Sequence, residues 1–282
     1  MLKKFGIIVA LCLFVVGCSS LKLAYGFVKT MVRERAEAYL DINENDNLAL
    51  DAEISELVSW HRNKMLPQYA LFFESQAQLA EGSGWNQAQI DEMVKILRAM
   101  IKDTIQGSAL YIANVLVNHT SISKVDHIEA AMNKVLSKRR ELYDEPLADQ
   151  IDVIVDRSVT NFERFFGTLT EYQIAIIREH KMQMHDPKGI WLDWRDKRQQ
   201  DLVRFLRTEP LVLDIEDYVK VALITPEKIV GQAYRDRADQ WWAEQAELLY
   251  DLMTSLDTKQ RQILANNLYG YADDMIELAN AP

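Results

Sequence analysis

The densest group of metal-binding side chains lies in Glu179-His-Lys-Met-Gln-Met-His-Asp186, where His180, Met182, Met184 and His185 offer imidazole and thioether ligands suited to copper. On a helix, His180 and Met184 share a face while Met182 points elsewhere, so using all four requires the chain to unwind ahead of Pro187. Methionine as core filler and histidine at a helix end explain the same residues without a metal. The expectation is therefore no metal and no cofactor. His119 and His127, with Asp126 beside the second, lack zinc-ligand spacing and an obvious third ligand.

Nucleophilic chemistry finds little support. Ser121-Ile-Ser-Lys124 matches S-x-x-K without companion motifs, and there is no G-x-S-x-G elbow or glycine-rich phosphate cradle. The two cysteines are Cys12 and Cys18, both close to the N-terminus. Aspartate and glutamate are too abundant to single out a general acid. Two aromatic–basic segments stand out instead. Trp60-His-Arg62 and Trp194-Arg195 each place a cation beside an indole, and Trp241-Trp242 cannot both face one core. They are read either as ordinary bundle packing or as a groove lined by Trp60, Arg62, Trp194, Arg195 and Trp242, able to take peptide, glycan or lipid. The basic run Lys134, Lys138, Arg139 and Arg140 reads as a solvated helix face.

Helices must carry these residues. Apolar positions recur three and four apart, as in Ile90, Val94, Leu97 and Ile101 or Ile151, Ile154, Val155 and Phe162, and alternating strand patterns are scarce. The expected fold is all-α, an elongated or curved bundle of about eight to ten helices. A degenerate phrase punctuates the sequence: an apolar residue, a capping residue, then a polar residue two or three positions on. It marks helix starts capped by Asp51, Asn86, Ser123, Thr170, Thr225 and Asp257, with Gln173 and Gln260 reaching back to their caps. The intervals are too irregular for a repeat array. Pro67 should kink or split the first long helix, and 81–85 and 185–189 read as loops.

The N-terminus supplies an address. Lys3 and Lys4 precede an apolar run from Phe5 to Val16 that is too short to span a bilayer and reads as a secretion signal. It ends in Val15-Val16-Gly17-Cys18, which resembles a bacterial lipobox and implies acylation of Cys18. The expected division is a signal peptide at 1–17 and one all-α periplasmic domain at 18–282, with any internal division near 167–170. Ser19 after the cysteine points to the outer membrane, facing the periplasm. Leu23, Phe27 and Met31, together with Tyr25, Val28 and Val32, then form a broad apolar helix surface that either lies on the membrane or packs in the bundle. Lys and Arg number 32 against 42 Asp and Glu, a net charge of −10, and loss of Lys3 and Lys4 would make it more acidic. That balance argues against a nucleic-acid partner.

The order of lipobox, "WHRNKMLPQYA", "NFERFFGTLTEYQ" and "LDTKQRQILANNLYGYADDM" resembles an uncharacterised family of Gram-negative outer-membrane lipoproteins of unknown function. The resemblance implies a helical lipoprotein and transfers no activity. Leu169-Thr-Glu-Tyr-Gln173, with its variant Leu256-Asp-Thr-Lys-Gln260, is also similar to the L-T-x-x-Q motif of the Spy and CpxP periplasmic proteins, whose helical cradles bind unfolded protein. The expected role is noncatalytic: membrane lipid held through Cys18 and an envelope protein or unfolded polypeptide as partner. The alternative is an envelope enzyme acting on peptidoglycan or lipid through carboxylates that the sequence does not single out.

Overall fold

The computed structural model describes residues 20–82, 84–186 and 189–281. The signal segment 1–17 and Cys18 lie outside the described residues. Among those residues every regular element is a helix. The chain runs α1 (Ser20–Gly26), α2 (Val28–Glu37), α3 (Glu44–Trp60), a π-helical turn (His61–Met65), α4 (Leu66–Glu81), α5 (Gln87–Leu116), α6 (Ile122–Arg140), α7 (Leu147–Phe166), α8 (Glu171–Gln183), α9 (Ile190–Leu206), α10 (Val212–Ile224), α11 (Glu227–Val230), α12 (Gln232–Thr254) and α13 (Thr258–Asn280). The expected all-α bundle is present. The number of helices runs slightly above eight to ten because α1 and α2 are parted only at Phe27 and α11 is a single turn.

Proline 67 acts as its chemistry requires. It has no N–H to donate to the carbonyl four residues back, and its ring crowds that carbonyl. The helix responds by widening rather than breaking: over His61–Met65 it becomes a π turn, and the Leu66 N–H donates to the His61 carbonyl five residues back. α3 therefore continues into α4 with His61 and Met65 turned inward.

The largest core joins α1, α3, α4, the first half of α5, α7, α8, α12 and α13. Its best-packed pair is α4 against α13. α4 contributes buried Ala70, Ala77 and Ala80 and α13 buried Ala265 and Ala272, small residues that let backbones approach closely, and Phe73 meets Tyr271 at 5.9 Å between ring centres. A second apolar cluster joins Tyr39 and Leu40 to α6 and α9, and a third joins the end of α5 to α10 through Ala109, Ala113, Ile215 and Val219. α5, 30 residues and about 45 Å long at 1.5 Å per residue, runs from the first core to the third. The turn at 167–170 lies within the main core, where Phe166 and Leu169 are both buried.

Candidate functional site

The two L-x-x-x-Q helix starts fold against each other. α7 ends at Gly167, whose φ of +73° is a conformation that a side chain resists, and α8 starts from Thr170. The Thr170 hydroxyl accepts from the Gln173 N–H at 3.3 Å, and the Gln173 side-chain oxygen accepts from the Thr170 N–H at 2.9 Å. α13 begins the same way, with Asp257 and Gln260 exchanging bonds at 2.7 and 3.2 Å. The amide nitrogens left over then cross between the two turns. Gln173 Nε2 donates to Gln260 Oε1 at 2.8 Å and to the Ser255 carbonyl at 3.2 Å, while Gln260 Nε2 donates to Gln173 Oε1 at 2.9 Å and to the Thr168 carbonyl at 3.0 Å. Asn267 Nδ2 serves the Arg164 and Phe165 carbonyls at the end of α7. Buried Leu169 and Leu256 flank the pair. The arrangement satisfies orphan groups at the ends of four helices and leaves neither glutamine side chain facing solvent.

Three other helix starts differ from the sequence reading. Asn86 caps α5 with Gln89 as expected. Asp51, however, lies inside α3, where it meets Arg33 Nε at 3.1 Å; the true cap is Asn43, which exchanges bonds with Asp46 at 3.1 and 3.2 Å. Ser123 is likewise inside α6, which starts from Ser121 without a side-chain cap. The Thr225 hydroxyl donates backward to the Val221 carbonyl at 3.4 Å, closing α10 instead of opening α11. Asn43-Glu-Asn-Asp46 follows Ile42 and fits the same phrase, so the signal for the cap lies eight residues ahead of Asp51.

The copper candidates disperse. His180 Nε2 meets Asp251 Oδ2 at 2.8 Å, Met182 is exposed, the buried Met184 sulfur accepts from Gln245, and His185 stacks on Tyr143. No cluster of three or more His, Cys, Asp or Glu side chains able to hold a metal occurs among the described residues. The tryptophan groove is also not assembled as one surface. Trp60 fills a notch above Gly107, where a Cβ would lie only 1.8 Å from the indole, and Arg62 lies over the Tyr25 ring at 5.8 Å. Trp194 meets Trp191 and Tyr234, each at 5.3 Å between centres, whereas Trp242 packs beside Trp241 under Arg98. These are separate neighbourhoods built by bundle packing.

His61 and His119 are buried and take structural partners. His61 Nδ1 lies 3.0 Å from the Tyr25 hydroxyl. His119 Nδ1 is 2.9 Å from the Val115 carbonyl, and its other nitrogen is 4.0 Å from Asp46, which Lys124 holds at 2.7 Å. Burial raises the Asp46 carboxyl, but Lys124, the Asn43 N–H and the nearby imidazole outweigh it and leave the group below the usual aspartate range. Burial drives Asp274 of α13 the other way, above that range, against the opposing pull of Lys22 from α1 at 3.3 Å.

Two surfaces remain that local packing does not account for. On α1 and α2, Leu21 and Tyr25 are buried, while Leu23, Phe27 and Met31 are 65%, 57% and 44% exposed. The helix surface that the sequence left undecided is thus divided between bundle and solvent. On α6, the buried stripe Val125, Ile128, Met132 and Leu136 continues to Arg139; on α9, the stripe through Leu192, Val203 and Leu206 includes Arg195. Arg139 is half-buried, not part of a solvated face. Arg195 belongs to the same enclosed seam, and burial together with Arg139 pushes its guanidinium down to about 10, partly offset by Tyr39. The signal was the helical register: both arginines fall where an apolar residue is due.

The chain matches a family of unknown function (DUF6279) over residues 38–235. No curated protein and no solved structure gives a match.

Proposed function

The chain belongs to this family of unknown function, and we propose that it is a noncatalytic, lipid-anchored scaffold of the bacterial envelope whose body is held against a membrane by α1 and α2. The observation that carries the reading is the outward stripe Leu23, Phe27 and Met31, which passes across Phe27 into α2 and starts on α1, a helix that begins two residues after Cys18 of the lipobox. Leu21, Tyr25 and the Lys22–Asp274 pair clamp that helix to the bundle from its other side. A chain anchored at Cys18 would bring this stripe to the lipid surface, where burying three large apolar side chains is favourable. No helix among the described residues is long and apolar enough to cross a membrane, so attachment through the lipid and this edge is the route the geometry favours.

The body would then face the periplasm at the outer membrane and receive an envelope protein or an unfolded segment on its helix surfaces. Leu211 and Leu213, 73% and 69% exposed at the start of α10, support such a contact. The alternative of an envelope hydrolase draws less support. Asp274 is desolvated, but Lys22 already bridges it to Glu277, and no second buried carboxylate converges on it among the described residues.

The test is a nitroxide placed at Phe27→Cys or Leu48→Cys in the acylated full chain, reconstituted into vesicles. The label at 27 is expected to relax with oxygen dissolved in lipid, and the label at 48 with an aqueous nickel chelate. Equal access of the chelate to both positions would sink the membrane reading. A photo-crosslinker at Leu213 in intact cells addresses the partner: a single envelope protein captured there supports the scaffold role, and no adduct argues against it.

A further inference from the structure

α6 and α9 run antiparallel. Arg207 reaches Asp126 and Glu129 at 2.8 and 2.7 Å at one end of the seam, and Arg140 reaches Asp193 at 2.9 Å at the other. Between these ends the seam begins as packed hydrocarbon, with Val125, Ile128, Met132, Val203 and Leu206 buried together. Toward Arg140 the hydrocarbon gives way to Arg139 and Arg195, which enter the same enclosed seam from opposite helices.

The charge there is unbalanced. Arg140 engages both carboxylates on that edge of α9, Asp193 and, at 3.8 Å, Asp196. Arg139 and Arg198 act on Arg195, and Arg35 acts on Arg139, while the Tyr39 phenol offsets burial at both and hydrogen-bonds Arg195. Arg139 Nε and Nη2, Arg195 Nε and Arg198 Nε are enclosed without a hydrogen-bond acceptor among the described residues. Arg198 is partly served, since its Nη1 donates to the Ala222 carbonyl at 3.4 Å and its guanidinium lies over Tyr234. Burial lowers both Arg139 and Arg195 from the ordinary arginine value, as cations short of acceptors should respond.

An arginine does not shed its charge at neutral pH, so a cluster of this kind stays cationic and is relieved by an anion. We propose that Arg139, Arg195, Arg198 and Arg35 form a binding site for a phosphate group at the Arg140 end of the α6–α9 seam. A single carboxylate would leave most of the charge uncompensated. A phosphate brings up to two charges and several acceptor oxygens, and guanidinium forks match its geometry. The ligand is either a soluble phosphate compound or the headgroup of an anionic phospholipid. The inference does not depend on the membrane reading of α1 and α2, because it rests on different helices.

The experiment uses the acylated full chain in detergent micelles, with inorganic phosphate titrated at constant ionic strength against chloride. Phosphate is expected to raise the unfolding midpoint, and the apparent Kd should weaken about tenfold or more in Arg195→Gln. Arg195→Lys keeps the charge but loses the fork, and it should fall between wild type and Arg195→Gln. Arg139→Met with Arg195→Met should abolish the response. Short-chain phosphatidylglycerol against phosphatidylcholine in the same micelles separates the sources: preference for the anionic lipid that is lost in Arg195→Gln identifies a headgroup, and a response to phosphate alone identifies a soluble compound. No midpoint shift with either probe, or the same shift in wild type and Arg195→Gln, overturns the proposal.

Discussion

The turn pair at Gln173 and Gln260 and the seam end at Arg139 and Arg195 both enclose polar side chains, and they balance them in opposite ways. At the turn pair every exchange is reciprocal: each glutamine closes its own cap and then spends its remaining donors on the other turn. At the seam end, Tyr39 serves Arg195, but Arg139 Nε and Nη2, Arg195 Nε and Arg198 Nε are enclosed with no acceptor among the described residues. The first arrangement is complete without a ligand. The second is complete only with one. Enclosed polarity by itself therefore says little about function, and the count of donors against acceptors says much more.

The largest effect expected from this contrast is at Gln173, which is 1% exposed. Gln173→Ala removes four side-chain hydrogen bonds at once and strands the Gln260 amide beside a small void, at a cost of about 2–4 kcal/mol in chemical denaturation. Gln173→Ala and Gln260→Ala should be strongly non-additive, since each leaves the other's partner orphaned. Additive losses would mean that the two turns merely lie close together.

The seam end should respond with the opposite sign. Replacing Arg139 and Arg195 together by methionine removes two like charges from an enclosed site and keeps comparable volume, so the ligand-free protein should gain about 1–2 kcal/mol. A loss of stability would show that the arginines already have partners, and the contrast between the two regions would disappear. Gaining stability while losing a phosphate response is the pattern of residues retained for binding rather than for folding.

Asp46 lies between these extremes, being enclosed and charged but answered by Lys124 and the Asn43 N–H. Its carboxyl is lower in the folded chain than in the unfolded chain, so its contribution is present above the ordinary aspartate value and is lost as the pH falls through the folded value. Stability of the wild type should therefore fall off below about pH 4. Asp46→Asn, which cannot titrate, should lose less over the same range and give the flatter profile of the two. Parallel pH profiles would remove Asp46 from the list of satisfied junctions.

What the sequence disclosed follows the same division. Helical periodicity and capping phrases are local, so the all-α bundle, the Pro67 irregularity and the starts at Asn86, Thr170 and Asp257 were legible. The coupling of Gln173 to Gln260 joins positions 87 residues apart, and no single window contains it. The Arg139–Arg195 meeting has the same character, although each residue broke an apolar stripe in its own helix. The tryptophan segments left packing and groove both open because an aromatic beside a base has the same composition whether it lines a groove or, like Trp60, fills the space that Gly107 leaves.

The smallest effects test whether the capping phrase is read correctly. The Thr170 and Asp257 side chains accept from the N–H groups of Gln173 and Gln260, so alanine at either should cost about 1 kcal/mol. Asp51, Ser123 and Thr225 fit the same phrase in sequence but cap nothing. Alanine at these three should change stability by less than about 0.5 kcal/mol, since Asp51 meets Arg33 at the surface and the others lie within or at the close of helices. Asn43→Ala should instead resemble Thr170→Ala, because Asn43 is the cap that opens α3. If Asp51→Ala proved as costly as Asn43→Ala, the start of α3 would be held by its Arg33 contact as much as by its cap. The apolar edge would then be fixed in place on α2 from the α3 side as well as on α1 from α13.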